Sequence, residues 1–159
     1  MSRFQPGPGW RDGIDAHAAW MPSASRNAIR LRAWVNRLVR EFFHARDVLE
    51  VETPILSEAA NTEPNIESCS TTFTGPTQSP SRQRWLRTSA EFPMKRLLAA
   101  GIGDCYELGR VFRDGEAGGR HNPEFTTLEL YHAYVDFHEM MDIAEAIVEH
   151  VAMTLHGTT

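Results

Sequence analysis

The segment that most limits what this chain can fold into is residues 113–134, RDGEAGGRHNPEFTTLELYHAY, a glycine-rich loop with charged ends that runs into an alternating stretch. A period of two is the mark of a β-strand, because successive side chains leave opposite faces of the pleat. It places Phe125, Thr127, Glu129 and Tyr131 on one face and Thr126, Leu128, Leu130 and His132 on the other. An aromatic ring, a carboxylate and a phenol therefore point the same way. Upstream, Arg113, Glu116, Arg120 and His121 bracket the loop and bring guanidinium, carboxylate and imidazole groups to the mouth of that face. Such a surface suits a ligand that carries a planar ring, a phosphate and a cation.

The remaining sequence reads as scaffold for this hairpin. From Ser25 the pattern turns helical, with Leu31, Trp34, Val35, Leu38, Val39 and Phe42 on one apolar stripe and Ser23 or Ser25 as the cap. Residues 48–53 alternate and stop at Pro54, which lacks a backbone donor, so a short strand ends there in a turn or an edge. Strand-like pieces follow at 70–74 and 85–88, joined by a loop rich in Ser, Pro and Gly. A short helix begins at Glu91, carries Met94, Leu97 and Leu98, and is stopped by Gly101 and Gly103. Residues 106–113 form a strand leading into the loop. A final helix starts at a capping box of Asp136 and Glu139, with Phe137, Met140, Met141, Ala144, Ile147, Val148, Val151 and Leu155 as its stripe. Hairpin-like connections between these pieces imply an α+β fold, an antiparallel sheet flanked by helices. Residues 1–22 hold Pro6, Gly7, Pro8, Gly9 and Pro22 without periodicity and read as a flexible arm that Trp10 and Trp20 could pin, leaving 23–159 as the folded domain.

At 159 residues the chain is long enough to bury a sizeable core. Its net charge of −5 argues against a surface that neutralises many phosphates at once, while leaving room for a local basic pocket. Cys69 and Cys105 lack metal-ligand spacing and read as reduced thiols, with a disulfide as the lesser alternative. The N-terminal residues lack the basic start and apolar run of a signal peptide, and no stretch of about 18 apolar residues occurs. A soluble, cytoplasmic protein with no membrane partner is the expectation.

Three stretches carry a family resemblance. VFRDGEAGGRHNPEFTTLELY resembles motif 2 of the class II aminoacyl-tRNA synthetases, in the form found in the lysyl branch. TSAEFPMKRLLAAGIGDCYELGRVFR is similar to the segment before it, and VNRLVREFFHARDVLEVETPIL resembles motif 1, a long helix running into a strand that ends in proline. Within that branch, WMPSASRNAIRLRAWVNRLVREFF is similar to the opening of the short paralogues that ligate a lysine-type amino acid to elongation factor P, and no anticodon-binding barrel precedes the motif 1 helix.

The resemblance implies a class II catalytic core that activates lysine or β-lysine with ATP and Mg2+ as an aminoacyl adenylate. The acceptor would be a lysine of elongation factor P, or tRNA if the chain belongs to a lysyl-tRNA synthetase. Arg113 matches the arginine that holds the α-phosphate and the amino acid carboxylate, Phe125 the ring under adenine, and Arg120 and His121 the groups facing the terminal phosphates. Glu116 matches the loop acid near the adenine amino group; Glu129 and Tyr131 match the acceptors of the side-chain ammonium, and Glu91 that of the α-amino group. No protein ligand for the metal is assigned. The motif 1 helix implies a homodimer. Two positions depart from the pattern: Gly115 stands where motif 2 has its first glutamate, and Ala90 stands where proline commonly precedes the glutamate of the TSxE segment. Nothing after Tyr134 resembles motif 3, so the expectation is the motif 1 and 2 portion of a catalytic domain, inactive by itself or a remnant that binds only nucleotide or a partner chain.

Overall fold

The computed structural model describes residues 22–157, so the expected arm lies, except for Pro22, outside the described residues. Two compact units emerge, one formed by the described residues up to Asp47 together with those from Val135 onward, the other by Val48–Tyr134.

In the first unit, helix α1 (Arg26–His44) packs with helix α3 (Phe137–His156). Helix α1 starts where Ser25 Oγ accepts from the Ala28 amide at 3.1 Å, satisfying one of the donors that a helix start leaves unpaired. Its stripe buries Leu38, Val39, Phe42 and, beyond the expected set, Phe43, while Leu31 stays exposed. The Phe42 ring meets Phe43 edge-on and tilts against His150 of α3, and the Arg46 guanidinium lies 3.6 Å from its centroid. The capping box at α3 is formed as expected: Asp136 accepts from the His138 and Glu139 amides, and the Glu139 carboxylate accepts from the Asp136 amide. The α3 stripe is a correction. Of its eight residues only Ile147 is buried, whereas Phe137, Met141 and Val148 are each more than 60% exposed. Helical periodicity records that a face is apolar, not that a neighbour covers it.

The second unit holds two small sheets and one helix. Strands β1 (Leu49–Glu50), β5 (Cys105–Phe112) and β6 (Glu124–Tyr131) form one sheet in the order β1-β5-β6. Strands β2 (Leu56–Ser57), β3 (Ser70–Thr72) and β4 (Gln83–Leu86) form the other in the order β2-β4-β3. The second sheet is antiparallel throughout. The first is mixed, because β1 runs parallel to β5, which corrects the wholly antiparallel reading. A two-residue strand carries no periodicity from which its direction can be read, and β2 escaped prediction for the same reason. Helix α2 (Glu91–Ala99) ends, as predicted, at Gly101 and Gly103, whose φ values of 85° and 80° suit residues without a Cβ. Its buried Met94 packs with Ala90 and Cys105, and Val51, Leu98 and Tyr131 close around them. This core pins one end of the β5–β6 hairpin.

Candidate functional site

Antiparallel pairing of β5 with β6 sets Cys105 opposite Tyr131, Glu107 opposite Glu129, Gly109 opposite Thr127 and Val111 opposite Phe125. Residues directly opposite each other project to the same side. Phe125, Thr127, Glu129 and Tyr131 therefore share a face, as the alternation predicts, and Cys105, Glu107, Gly109 and Val111 share it with them.

At the loop end of this face, Arg113 leaves β5 with its amide bonded to the Pro123 carbonyl at 2.8 Å. Its Nε donates to the Thr88 carbonyl at 3.4 Å, and its Cζ lies 5.1 Å from the centroid of the Phe125 ring. That separation is within the range of a cation–π contact. Glu116 Oε1 stands 3.7 Å from Arg113 Nη1, an ion pair about two-thirds buried on each side. The structure thus brings Arg113, Phe125 and Glu116 together. Arg120 and His121 it does not: both are exposed at the tip of the loop, where the backbones of Gly118 and His121 bridge each other. Gly115, which stands where motif 2 has its first glutamate, has a φ of 75°, a left-handed conformation that suits glycine.

At the opposite end, Ser89 links two carboxylate-bearing elements. Its Oγ donates to Glu129 Oε2 at 3.1 Å and accepts from the Glu91 amide at 3.0 Å, so it ties β6 to the start of α2 despite the absence of a side-chain cap at Ala90. Glu91 pairs with Lys95 one turn along its own helix at 2.5 Å, with both groups about half exposed. Tyr131 is packed against the Ala90–Met94–Cys105 cluster. Burial, then the Glu129 and Glu91 carboxylates and Cys105, push its phenol up to about 12, so it remains a neutral donor at ordinary pH. Two carboxylates and a protonated phenol can together accept and orient an ammonium group.

On this same face, in its middle row, lies a charged cluster that the sequence reading missed. Arg87 and Glu107 form an ion pair at 2.5 Å with side chains only 6% and 4% exposed. Glu107 Oε2 accepts from the Thr53 amide at 3.2 Å and the Thr53 hydroxyl at 2.6 Å. Arg87 completes its fork with the Arg110 carbonyl at 2.9 Å, the Thr53 hydroxyl at 2.7 Å and the Thr53 carbonyl at 3.2 Å. A Cβ at Gly109 would stand 2.7 Å from Glu107 Oε1 and closer still to Arg87 Nη2. The guanidinium therefore lies over the Gly109 backbone, in space that only glycine leaves open. The available signal was an acid at the centre of CYELG, a stretch of strand with buried neighbours, which demands a cation.

Both cysteines are free, with Cys105 buried and its thiol pushed up by that burial and by Asp104. Among the described residues no three acidic, histidine or cysteine side chains gather as a metal site, and none of the helices is long and apolar enough to cross a membrane. The residues of this face would hold Mg2+ only together with a bound nucleotide, since no set of protein ligands is preformed among the described residues.

The family model for class II tRNA synthetases (D, K and N) matches residues 15–159. Curated relatives with the name elongation factor P (R)-β-lysine ligase are similar to this chain. That of Vibrio cholerae is 48% identical over 130 residues, covering 82% of this chain and 40% of the relative. That of Pasteurella multocida is 45% identical over 132 residues, covering 83% and 41%. That of Pseudoalteromonas translucida is 49% identical over 127 residues, covering 79% and 39%. The chain spans about two-fifths of the length of these relatives.

Proposed function

Because this chain belongs to the class II tRNA synthetase family, in its D, K and N group, we propose that it supplies one wall of a ligase site that activates a lysine-type amino acid with ATP and passes it to elongation factor P. The observation that carries the reading is a single hairpin face with Arg113 over Phe125 at one end and Glu129 and Tyr131 at the other, where Ser89 also ties in Glu91 at the start of α2.

In the first step a carboxylate oxygen of the amino acid attacks the α-phosphorus of ATP, a new P–O bond forms, and pyrophosphate leaves. Arg113 binds oxygens of both reactants with its planar fork, aligning them and offsetting the charge that builds at phosphorus. Phe125 stacks under the adenine ring, and Glu116 accepts from the adenine amino group or holds the loop through Arg113. Arg120 and His121 lie on the loop that would fold toward the terminal phosphates. Mg2+, if it enters with the nucleotide, would supply further charge neutralisation there. Glu129 and Tyr131 receive the side-chain ammonium, and Glu91 the α-amino group, exchanging its exposed Lys95 partner for the substrate. Pairs as exposed as Glu91–Lys95 contribute little, so that exchange is cheap. In the second step an acceptor amine attacks the acyl carbon, loses a proton, and AMP departs. The reaction is assigned to the cytoplasm, and the homodimer through α1 is part of the same reading.

Lysine- or β-lysine-dependent exchange of pyrophosphate into ATP by the full-length protein tests the first step. Arg113→Ala should lower exchange about 100-fold or more, and Arg113→Lys should not restore it, since an ammonium cannot span two oxygens. Exchange without either amino acid, or unaffected by both variants, refutes the reading. Transfer to elongation factor P rather than to tRNA identifies the acceptor.

A further inference from the structure

The register of the hairpin sets two carboxylates, Glu107 and Glu129, directly across from each other on one face. Like charges at such positions, with Cβ atoms about 5 Å apart, repel. The structure treats them unequally. Glu107 is buried, ion-paired to Arg87 and bonded twice by Thr53, so its charge is fully compensated. Glu129 accepts a neutral Ser89 hydroxyl and lies beside Tyr131 and, through it, near Glu91. Its negative charge is left for something else.

We propose that Arg87 is a positioning residue for the amino acid subsite: by cancelling Glu107 across the ladder, it leaves Glu129 as the one uncompensated carboxylate of that strand pair, and so sets selectivity for a side chain bearing a single positive charge. This rests on the proposed function, in which Glu129 receives the substrate ammonium. Three observations carry it. All three nitrogens of the Arg87 guanidinium are engaged within the cluster, by Arg110, Thr53 and Glu107, which holds the cation in place beside the site. Its place over the backbone is preserved by the missing Cβ of Gly109. Thr53 bridges both ions, accepting from Arg87 and donating to Glu107 through one hydroxyl, which locks the pair in a single arrangement. The cluster is a neutral unit placed beside a charged site.

The charge argument makes a prediction that a structural role does not. Glu107→Gln keeps shape and most hydrogen bonds but leaves Arg87 as an uncompensated cation about one ladder rung from Glu129. At an effective permittivity near 20, a unit charge at about 7 Å changes the affinity of a second charge by tenfold or more. In the full-length protein, preference for lysine over norleucine, which lacks the ammonium, measured by pyrophosphate exchange as kcat/KM, should fall at least tenfold. The KM for ATP should stay within about twofold. The double variant R87M/E107Q restores neutrality, and the preference should return to within about threefold of the parent. Thr53→Val removes only the bridging hydroxyl and should give an intermediate loss, about threefold, which keeps the test available should Glu107→Gln fail to fold. A parent protein that shows no lysine-dependent exchange overturns the functional reading. A parent that exchanges normally, with Glu107→Gln or Thr53→Val folded by circular dichroism and the lysine preference unchanged, overturns this proposal alone. So does a double variant as impaired as the single one.

Discussion

Replacing Gly109 with alanine tests the architecture of the middle row of the face. The added Cβ would stand 2.7 Å from Glu107 Oε1 and 3.3 Å from its Cδ, with Arg87 Nη2 nearer than either. No flexible side-chain tip can swing aside, because both contacting groups are buried and bonded on every polar atom. Either the ion pair separates or β5 lifts from β6. Separating a buried pair costs about 3–5 kcal/mol, and sharing the displacement with the strand relieves part of that. The expected loss is therefore about 3 kcal/mol, read as a lowered urea midpoint with an unchanged slope. Two glycines of the following loop calibrate it. Gly118 has open space around its would-be Cβ, so Gly118→Ala should fall within about 0.5 kcal/mol of the parent. Gly115 is also open but has a φ of 75°, so Gly115→Ala should cost about 1 kcal/mol from backbone strain alone. A Gly109→Ala protein as stable as Gly118→Ala would refute the reasoning, since it would show that the cluster has room the geometry denies.

Removing the Phe125 ring should act on nucleotide and not on amino acid: Phe125→Ala should raise the KM for ATP about tenfold, in keeping with roughly 1–3 kcal/mol for base stacking, and leave the KM for lysine unchanged. Equal effects on both would show that the ring serves the fold. The Tyr131 phenol provides a pH signature. Its pKa in the folded chain is about 12, above its ordinary value near 10, so the native state holds the proton longer than the unfolded one. Stability from this group is fully present below pH 10 and is lost as pH rises toward 12; Tyr131→Phe should flatten that part of the stability curve, and an unchanged decline would refute the assignment.

The sequence is most readable where the signal is local. The α1 stripe, the Asp136–Glu139 capping box and the β6 alternation all follow from local spacing, and all three are present. Long-range decisions were less accessible. Nothing in Leu49–Glu50 states that it runs parallel to β5, since pairing direction is settled by the partner. The exposed Phe137, Met141 and Val148 look, by spacing alone, the same as a covered face. The omission of Glu107 is more instructive. An acid among LELY requires a partner, which marks Glu129, and the same rule applied to CYELG marks Glu107 and calls for a cation such as Arg87. Family resemblance drew attention to residues that touch a ligand, whereas the demand for charge compensation also applies to those that do not.

The two acids show how one hairpin can serve two ends of a long ligand. Along a strand each residue advances about 3.4 Å, so Phe125 and Glu129 stand roughly 14 Å apart on the same face. A ring-stacking end and an ammonium-binding end are thus held at a fixed separation by ladder hydrogen bonds rather than by loop conformation. Between them lie Thr127 and Gly109, and the Arg87 fork lies on the face over Gly109, in the space its missing Cβ leaves open. A net charge in that middle row would compete with either end for the ligand. A neutralised ion pair seated over the glycine fills that row rigidly while presenting no net charge. The geometry thereby separates two tasks that share one strand: Glu107 spends its charge on holding the scaffold, which leaves that of Glu129 for recognition.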